Sequence, residues 1–106
     1  MIREERSSVI RGILVDELAR TDRMKNRYLK ELDSLSKGSL MLRRIGNQEY
    51  YYLKYRENGN VKSKYLGKNG TIDVESIQHE ISKRKHIEKI VKNLEAEEKE
   101  IKKIIK

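Results

Sequence analysis

The sequence predicts an α+β fold in which a long N-terminal helix, a three-stranded antiparallel meander and a long C-terminal helix follow one another. Apolar residues recur every three or four positions in both end segments, which is the helical period. The middle segment alternates bulky and polar residues around two glycine-containing turn signals. The length of 106 residues suits one domain, with helix over 1–37, sheet over 39–67 and helix over 73–106.

The first helix is predicted from apolar residues at helical spacing from Ile10 onward. The stripe shifts phase after Leu18, and Thr21 has the side chain of a helix N-cap at that point. The segment is therefore either two helices broken near Thr21 or one helix with a phase shift. Gly38 is available for the left-handed position at the C-terminal end of this segment.

The first turn of the meander is predicted at Gly46-Asn47. Glycine in the first central position is what a two-residue type II′ hairpin requires. The resulting register pairs Ile45 with Gln48, Arg44 with Glu49, Leu42 with Tyr51 and Leu40 with Leu53.

The second turn of the meander allows two registers. A two-residue turn at Asn58-Gly59 pairs Arg56 with Val61 and mixes apolar with basic residues on both faces. A three-residue turn over 57–59 pairs Tyr55 with Val61 and separates the two residue classes. Because a slip of one residue sends every side chain to the opposite face, patterning favours the three-residue turn.

With the three-residue turn, the meander has one apolar and one basic face. The apolar face holds Leu40, Leu42, Tyr51, Leu53, Tyr55, Val61 and Tyr65. The basic face holds Arg43, Tyr50, Tyr52, Lys54, Arg56, Lys62 and Lys64, with Met41 and Leu66. These seven basic and tyrosine residues are the predicted nucleic-acid-binding site.

Charge distribution along the chain supports that prediction. Residues 39–70 carry 7 basic and 2 acidic side chains, whereas residues 1–38 carry 9 and 7 and residues 71–106 carry 9 and 8. Lysine and arginine displace counterions from phosphates, and tyrosine rings stack on unpaired bases. A basic face that is simply solvated, or one that meets an acidic protein surface, remains an alternative.

The C-terminal helix is predicted to begin after an N-cap at Asp73. Spacings of three and four then define a coiled-coil-like seam with one charged interruption. The predicted seam consists of Ile87, Ile90, Leu94, Glu97, Ile101 and Ile104. Its apolar residues exceed what one broken opposing helix covers, so a homodimer through this helix is expected.

Several function classes lack support in the sequence. There is no cysteine, and no third ligand stands at recognisable spacing from His79 and His86, so no metal or other cofactor is expected. The loop over 67–71 lacks the spacing of a phosphate-binding loop, and no catalytic constellation is present, so the protein is expected not to be an enzyme. No apolar run approaches membrane-spanning length, which predicts a soluble protein of the cytoplasm.

The stretch LSKGSLMLRRIGNQEYYYLKYRENGNVKSKYLGKNG, residues 35–70, resembles a motif in small, mostly uncharacterised proteins of bacteria and mobile elements. Its marks are the tyrosine-rich strand, the Tyr-Arg-Glu-x-Gly turn and the Val-x-Ser-Lys-Tyr-Leu-Gly strand that follows. More loosely, three strands followed by a helix are similar to the DNA-reading sheet of phage-type integrases. That likeness implies a binding mode alone, since the chain has no integrase catalytic domain.

The expected function is therefore non-enzymatic binding of DNA or RNA by an accessory protein of a bacterium, phage or plasmid. One alternative is an inhibitor of the anti-CRISPR type, which would bind a host nuclease or its guide RNA as a nucleic-acid–protein complex. Another is a structural helical dimerisation module.

Overall fold

The computed structural model describes residues 2–106, with side-chain surroundings from residue 8 onward. The order of elements confirms the predicted α+β class. They are α1 (Ile2–Leu32), β1 (Ser39–Ile45), β2 (Gln48–Glu57), β3 (Asn60–Lys68) and α2 (Val74–Ile105). The chain forms two compact units: α1 with the residues from Ile87 onward, and residues 35–86.

In the helical unit, α1 is one uninterrupted helix, so the predicted N-cap at Thr21 is wrong. Thr21 lies in the middle of α1 and is 1% exposed. It continues the helical spacing of the half-buried Leu14 and Leu18. The apparent phase shift arose because a polar residue, Thr21, occupies a buried position of the stripe.

The buried stripe of α2 lies one residue away from part of the predicted seam. Ile87, Leu94 and Ile101 are buried as predicted, but Val91 takes the place of Ile90 and Glu98 the place of Glu97. Ile104 is 66% exposed. Since three of the seam residues are buried within one chain, the surplus of apolar surface that suggested a homodimer is smaller than the sequence indicated.

The charged interruption of the α2 stripe is paired with α1. Glu98 is 6% exposed, and its Oε2 accepts a hydrogen bond from the Lys25 ammonium at 3.0 Å. This hydrogen bond raises the pKa of Lys25 above its ordinary value. A buried carboxylate needs such a partner, because an unpaired charge away from water is costly. The Lys25 ammonium therefore stabilises the Glu98 carboxylate at this buried position of the stripe.

The helix α1 ends earlier than predicted. Both the amide and the hydroxyl of Ser34 donate to the carbonyl of Glu31, at 3.1 and 2.8 Å, and close the last turn. Gly38 adopts the expected positive φ of 102°, but it lies six residues beyond Leu32. A Cβ at Gly38 would collide with the backbone carbonyl of Lys54, so this glycine serves the approach of the chain to the sheet.

The helix α2 begins as predicted. The carboxylate of Asp73 accepts a hydrogen bond from the amide of Ser76 at 3.1 Å, which is the N-cap contact. Further along the first half of α2, Glu80 accepts from the hydroxyl of Ser36 at 3.0 Å, and Arg84 donates to the carbonyl of Leu35 at 3.1 Å. These two contacts tie the segment before β1 to α2 within the sheet unit.

The first hairpin has the predicted register. Ile45 pairs with Gln48 and Leu40 with Leu53. Gly46 has a φ of +63°, and Asn47 is not among the residues of positive φ. Positive φ at the first central position alone is the signature of the type II′ turn. Glycine at this position therefore sets the register of β1 against β2.

The second hairpin has the other register, so the predicted three-residue turn is wrong. Asn58 and Gly59 adopt φ values of 51° and 81°, and Glu57 pairs directly with Asn60. Positive φ at both central residues gives a type I′ turn, whose twist matches that of the flanking strands. The local geometry of Asn-Gly thus outweighs the clean separation of apolar and basic residues.

A β-bulge in β3 interrupts this register. Tyr52 pairs with Tyr65, but Tyr51 pairs with Gly67, so Leu66 is the extra residue. Beyond the bulge, Gly67 is buried, and a Cβ there would lie 2.5 Å from the side chain of Ile72. The bulge therefore allows the two ends of β3 to follow different phases, which the sequence prediction did not include.

The corrected register moves four residues to the opposite face of the sheet. Tyr65 pairs with Tyr52 and Val61 with Arg56, so both lie on the face that was predicted to be basic. Lys64 pairs with Leu53 and Lys62 with Tyr55, which places both lysines on the face predicted to be apolar.

Candidate nucleic-acid interface

Strand alternation and register define two faces of the sheet. The open face consists of Ser39, Met41, Arg43, Ile45, Gln48, Tyr50, Tyr52, Lys54, Arg56, Val61, Ser63, Tyr65 and Lys68. The covered face consists of Leu40, Leu42, Arg44, Glu49, Tyr51, Leu53, Tyr55, Glu57, Asn60, Lys62, Lys64 and Gly67.

The covered face carries the apolar core of the sheet unit. Leu53 is 5% exposed and lies in the middle strand. Residues 35–37, which α2 holds through Ser36, line a cleft together with Leu53 and Tyr55. Leu53 is therefore the centre of the packing that holds this face, and its surroundings come from the residues before β1.

The open face carries a cluster of three tyrosine rings. The Tyr65 ring centroid lies 5.4 Å from that of Tyr52 and 6.3 Å from that of Tyr50, with tilted ring planes. These separations lie within the range of favourable aromatic pairs. Tyr50 and Tyr52 are half-buried, whereas Tyr65 is 54% exposed. The three strands thus hold the rings in fixed positions while leaving part of each ring in contact with solvent.

Arg43 extends this cluster across β1. Its guanidinium carbon lies 5.3 Å from the ring centroid of Tyr52, within the range of a cation–π contact. Arg43 and Tyr50 are directly opposite one another in the register. A guanidinium held above a ring keeps its donors available at the edge of the ring, where a phosphate can accept them.

The charge of the sheet is concentrated on the open face. Its four cations are Arg43, Lys54, Arg56 and Lys68, and it has no acidic position. The two carboxylates of the sheet, Glu49 and Glu57, both lie on the covered face. There Glu57 lies 3.9 Å from Lys62, and both side chains are about half exposed. The cations of the open face are therefore not balanced by any carboxylate of the same face.

Five of the seven predicted site residues come together. Arg43, Tyr50, Tyr52, Lys54 and Arg56 share the open face, because β1 and β2 have the predicted register. Lys62 and Lys64 lie on the covered face and do not belong to this cluster. The predicted three-residue turn would also have placed Lys54 opposite Lys62, a pair of like charges, but Lys54 faces Ser63.

Sequence reasoning missed Tyr65 and Lys68 as members of the open face. Both are placed by β3, Tyr65 through the two-residue turn and Lys68 through the bulge. The Asn58-Gly59 pair was a signal for the type I′ turn and would have placed Tyr65 correctly. Nothing in the sequence pattern marked the bulge at Leu66 with comparable strength.

Other kinds of site are not formed by the described part of the chain. Among those residues, no group of three or more His, Cys, Asp or Glu side chains is placed to hold a metal ion. His79 and His86 are both exposed on α2. No helix in the same part of the chain has the length and apolar character needed to cross a membrane.

The sequence model of one protein family matches residues 4–76, which is more than half of the chain and includes nearly all of α1 and the whole sheet. That family is described as a domain of unknown function, DUF6788. Neither the curated proteins nor the solved structures gave a significant match.

Proposed function

The chain belongs to the DUF6788 family, and we propose that it binds nucleic acid through the open face of its sheet without catalysing a reaction. The observation that carries the proposal is the separation of charge between the two faces. Four cations share the open face with three tyrosine rings, and both carboxylates of the strands lie on the covered face. A phosphate strand would meet cations there and no repulsive group.

The tyrosine rings favour a strand with unpaired bases. Partly exposed rings on a rigid sheet offer flat apolar surfaces on which successive bases stack, each stack contributing about 1–3 kcal/mol. Duplex bases are already stacked, so they gain little from such contacts. We therefore expect single-stranded DNA or unpaired RNA to bind more tightly than a duplex of the same length.

The cations have a separate role from the rings. Lys54, Arg56 and Lys68 are exposed and surround the ring cluster on β2 and β3. They would contact phosphates, whose binding releases counterions and therefore weakens as salt concentration rises. Ring contacts give little salt dependence, so the two contributions are separable by experiment.

The test is a salt series of binding measurements with fluorescently labelled single-stranded DNA, duplex DNA and structured RNA. The first variant is Tyr52→Ala/Tyr65→Ala, with Tyr52→Phe/Tyr65→Phe as its matched control. We expect the alanine variant to lose single-strand affinity and the phenylalanine variant to keep most of it, because phenylalanine retains the ring. The absence of binding by the wild-type protein at low salt would overturn the proposal. It would favour the alternative that the open face binds an acidic protein surface.

A further inference from the structure

The exposed side of α1 carries a row of cations that the sheet site does not use. Arg20, Arg23, Arg27 and Lys30 follow one another at spacings of three, four and three residues, and all four are exposed. At about 100° per residue they fall within an arc of about 80°. The row therefore runs along one side of α1, and it belongs to the helical unit.

Three of these residues form a shallow groove. Arg20, Arg23 and Arg27 line it together with Met24, and no carboxylate takes part in the lining. A guanidinium only donates hydrogen bonds and a thioether accepts only weakly. A ligand of this groove must therefore supply acceptors and negative charge.

Nearby carboxylates neutralise only part of the row. Arg20 makes two contacts with the carboxylate of Glu17, at 2.8 and 3.1 Å. These contacts lower the pKa of Glu17 through hydrogen bonding. Asp22 is the acidic residue between Arg20 and Lys30, and it lies 3.7 Å from the Lys25 ammonium. Within the described part of the chain, Arg23 and Arg27 have no ion pair.

We infer that this arginine groove is a second contact surface for the phosphate backbone of nucleic acid, an inference that rests on the proposed binding of nucleic acid by this chain. Planar guanidinium groups bind phosphate oxygens in pairs, with better geometry than an ammonium. Along the helix axis, Arg20 and Arg27 are separated by about 10 Å, from a rise of 1.5 Å per residue. That distance equals about three nucleotides of one strand at 3.4 Å each.

This groove would contribute affinity without base preference. Its lining lacks an aromatic ring, and its donors are suited to phosphates. Loss of its contacts should weaken the affinity for single strands and for duplexes by similar factors. Loss of the tyrosine contacts on the sheet should instead reduce the affinity for single strands more than the affinity for duplexes.

The test compares Arg23→Ala/Arg27→Ala with Lys99→Ala/Lys103→Ala in the salt series. Both variants remove two exposed cations spaced four residues apart on a helix, and alanine preserves helix propensity. We expect the arginine variant to reduce the slope of log affinity against log salt by about 1.8 for duplex DNA and about 1.4 for single strands, the values for two lost phosphate contacts. We expect the lysine variant to retain the wild-type slope.

The outcomes separate this inference from the function of the sheet. If the arginine variant keeps the wild-type affinity while Tyr52→Ala/Tyr65→Ala loses it, the inference about the groove is overturned and the sheet proposal stands. If the arginine variant alone loses affinity, the groove stands and the sheet proposal fails. Equal losses in the arginine and lysine variants would show a general effect of net charge and overturn the groove. A wild-type protein without affinity for any probe would overturn both.

Discussion

The two faces of the sheet are built from the same strands but have opposite organisation. On the covered face, Leu53 is buried and the strand carboxylates Glu49 and Glu57 accompany the basic residues. On the open face, Tyr65 and its neighbouring rings remain partly exposed among cations alone. Residues that hold the fold and residues available to a ligand are therefore separated by a single position along β2.

The largest effect is expected on the covered face. Replacing Leu53 by alanine removes the most buried side chain of the sheet and should lower the free energy of unfolding by about 2–5 kcal/mol. Urea denaturation followed by circular dichroism measures this loss. Met41→Ala, on the open face, should cost less than about 1 kcal/mol, because Met41 is already exposed. Equal losses in the two variants would contradict the distinction between the faces.

The next effect concerns binding and belongs to the open face. Tyr52→Ala should weaken the binding of single-stranded DNA by about 1–3 kcal/mol for each lost stack, which is a loss of affinity of about fivefold to 150-fold. Titration of labelled oligonucleotide measures the change. Tyr52→Phe keeps the ring beneath Arg43 and should bind nearly as well as the wild type. An alanine variant with unchanged affinity would show that the ring is not a stacking platform.

Removing two cations from each face in turn shows which side of the sheet contacts phosphates. Lys54→Ala/Lys68→Ala removes two cations of the open face and should reduce the salt slope for single strands by about 1.4. Lys62→Ala/Lys64→Ala removes the same charge from the covered face and should leave the slope unchanged. A larger effect from the covered-face pair would place the phosphate contacts on the opposite side of the sheet.

The smallest effect tests the register on which both faces depend. Asn58 has a positive φ in the type I′ turn, so Asn58→Ala should cost about 1 kcal/mol of stability. Asn58→Gly should be close to neutral, because glycine adopts this conformation readily. Thermal unfolding of the two variants provides the measurement. No difference between alanine and glycine would argue against a type I′ turn.

The order of helices and strands and the first hairpin could be predicted from the sequence because those features depend on local signals. Gly46 fixes one turn by itself, and the side chain of Asp73 begins α2. The predicted register of the second hairpin is wrong because the separation of apolar and basic residues is a weaker signal than the Asn58-Gly59 turn, and a bulge at Leu66 allows mixed faces. No turn signal of comparable strength marks this bulge in the sequence, and Ile72 lies close to Gly67 beside it.

The position of the buried stripe on α2 likewise could not be predicted from local sequence signals. Ile90 precedes Val91 and Glu97 precedes Glu98, so two stripes one residue apart fit the sequence almost equally well. The choice between them requires knowledge of the opposing helix, where Lys25 supplies the partner for Glu98. Five of the seven predicted site residues share one face because their placement needed only the first hairpin.

The most direct test of the open face uses the tyrosine rings as reporters. Five of the six tyrosines lie in the sheet, with Tyr50, Tyr52 and Tyr65 on the open face and Tyr51 and Tyr55 on the covered face. Carbon–proton spectra of the rings, recorded while a short oligothymidine is added, would follow all five at once. We predict upfield shifts for the three open-face rings and unchanged positions for the other two. Shifts confined to Tyr51 and Tyr55, or none at saturating oligonucleotide, would contradict binding through the open face.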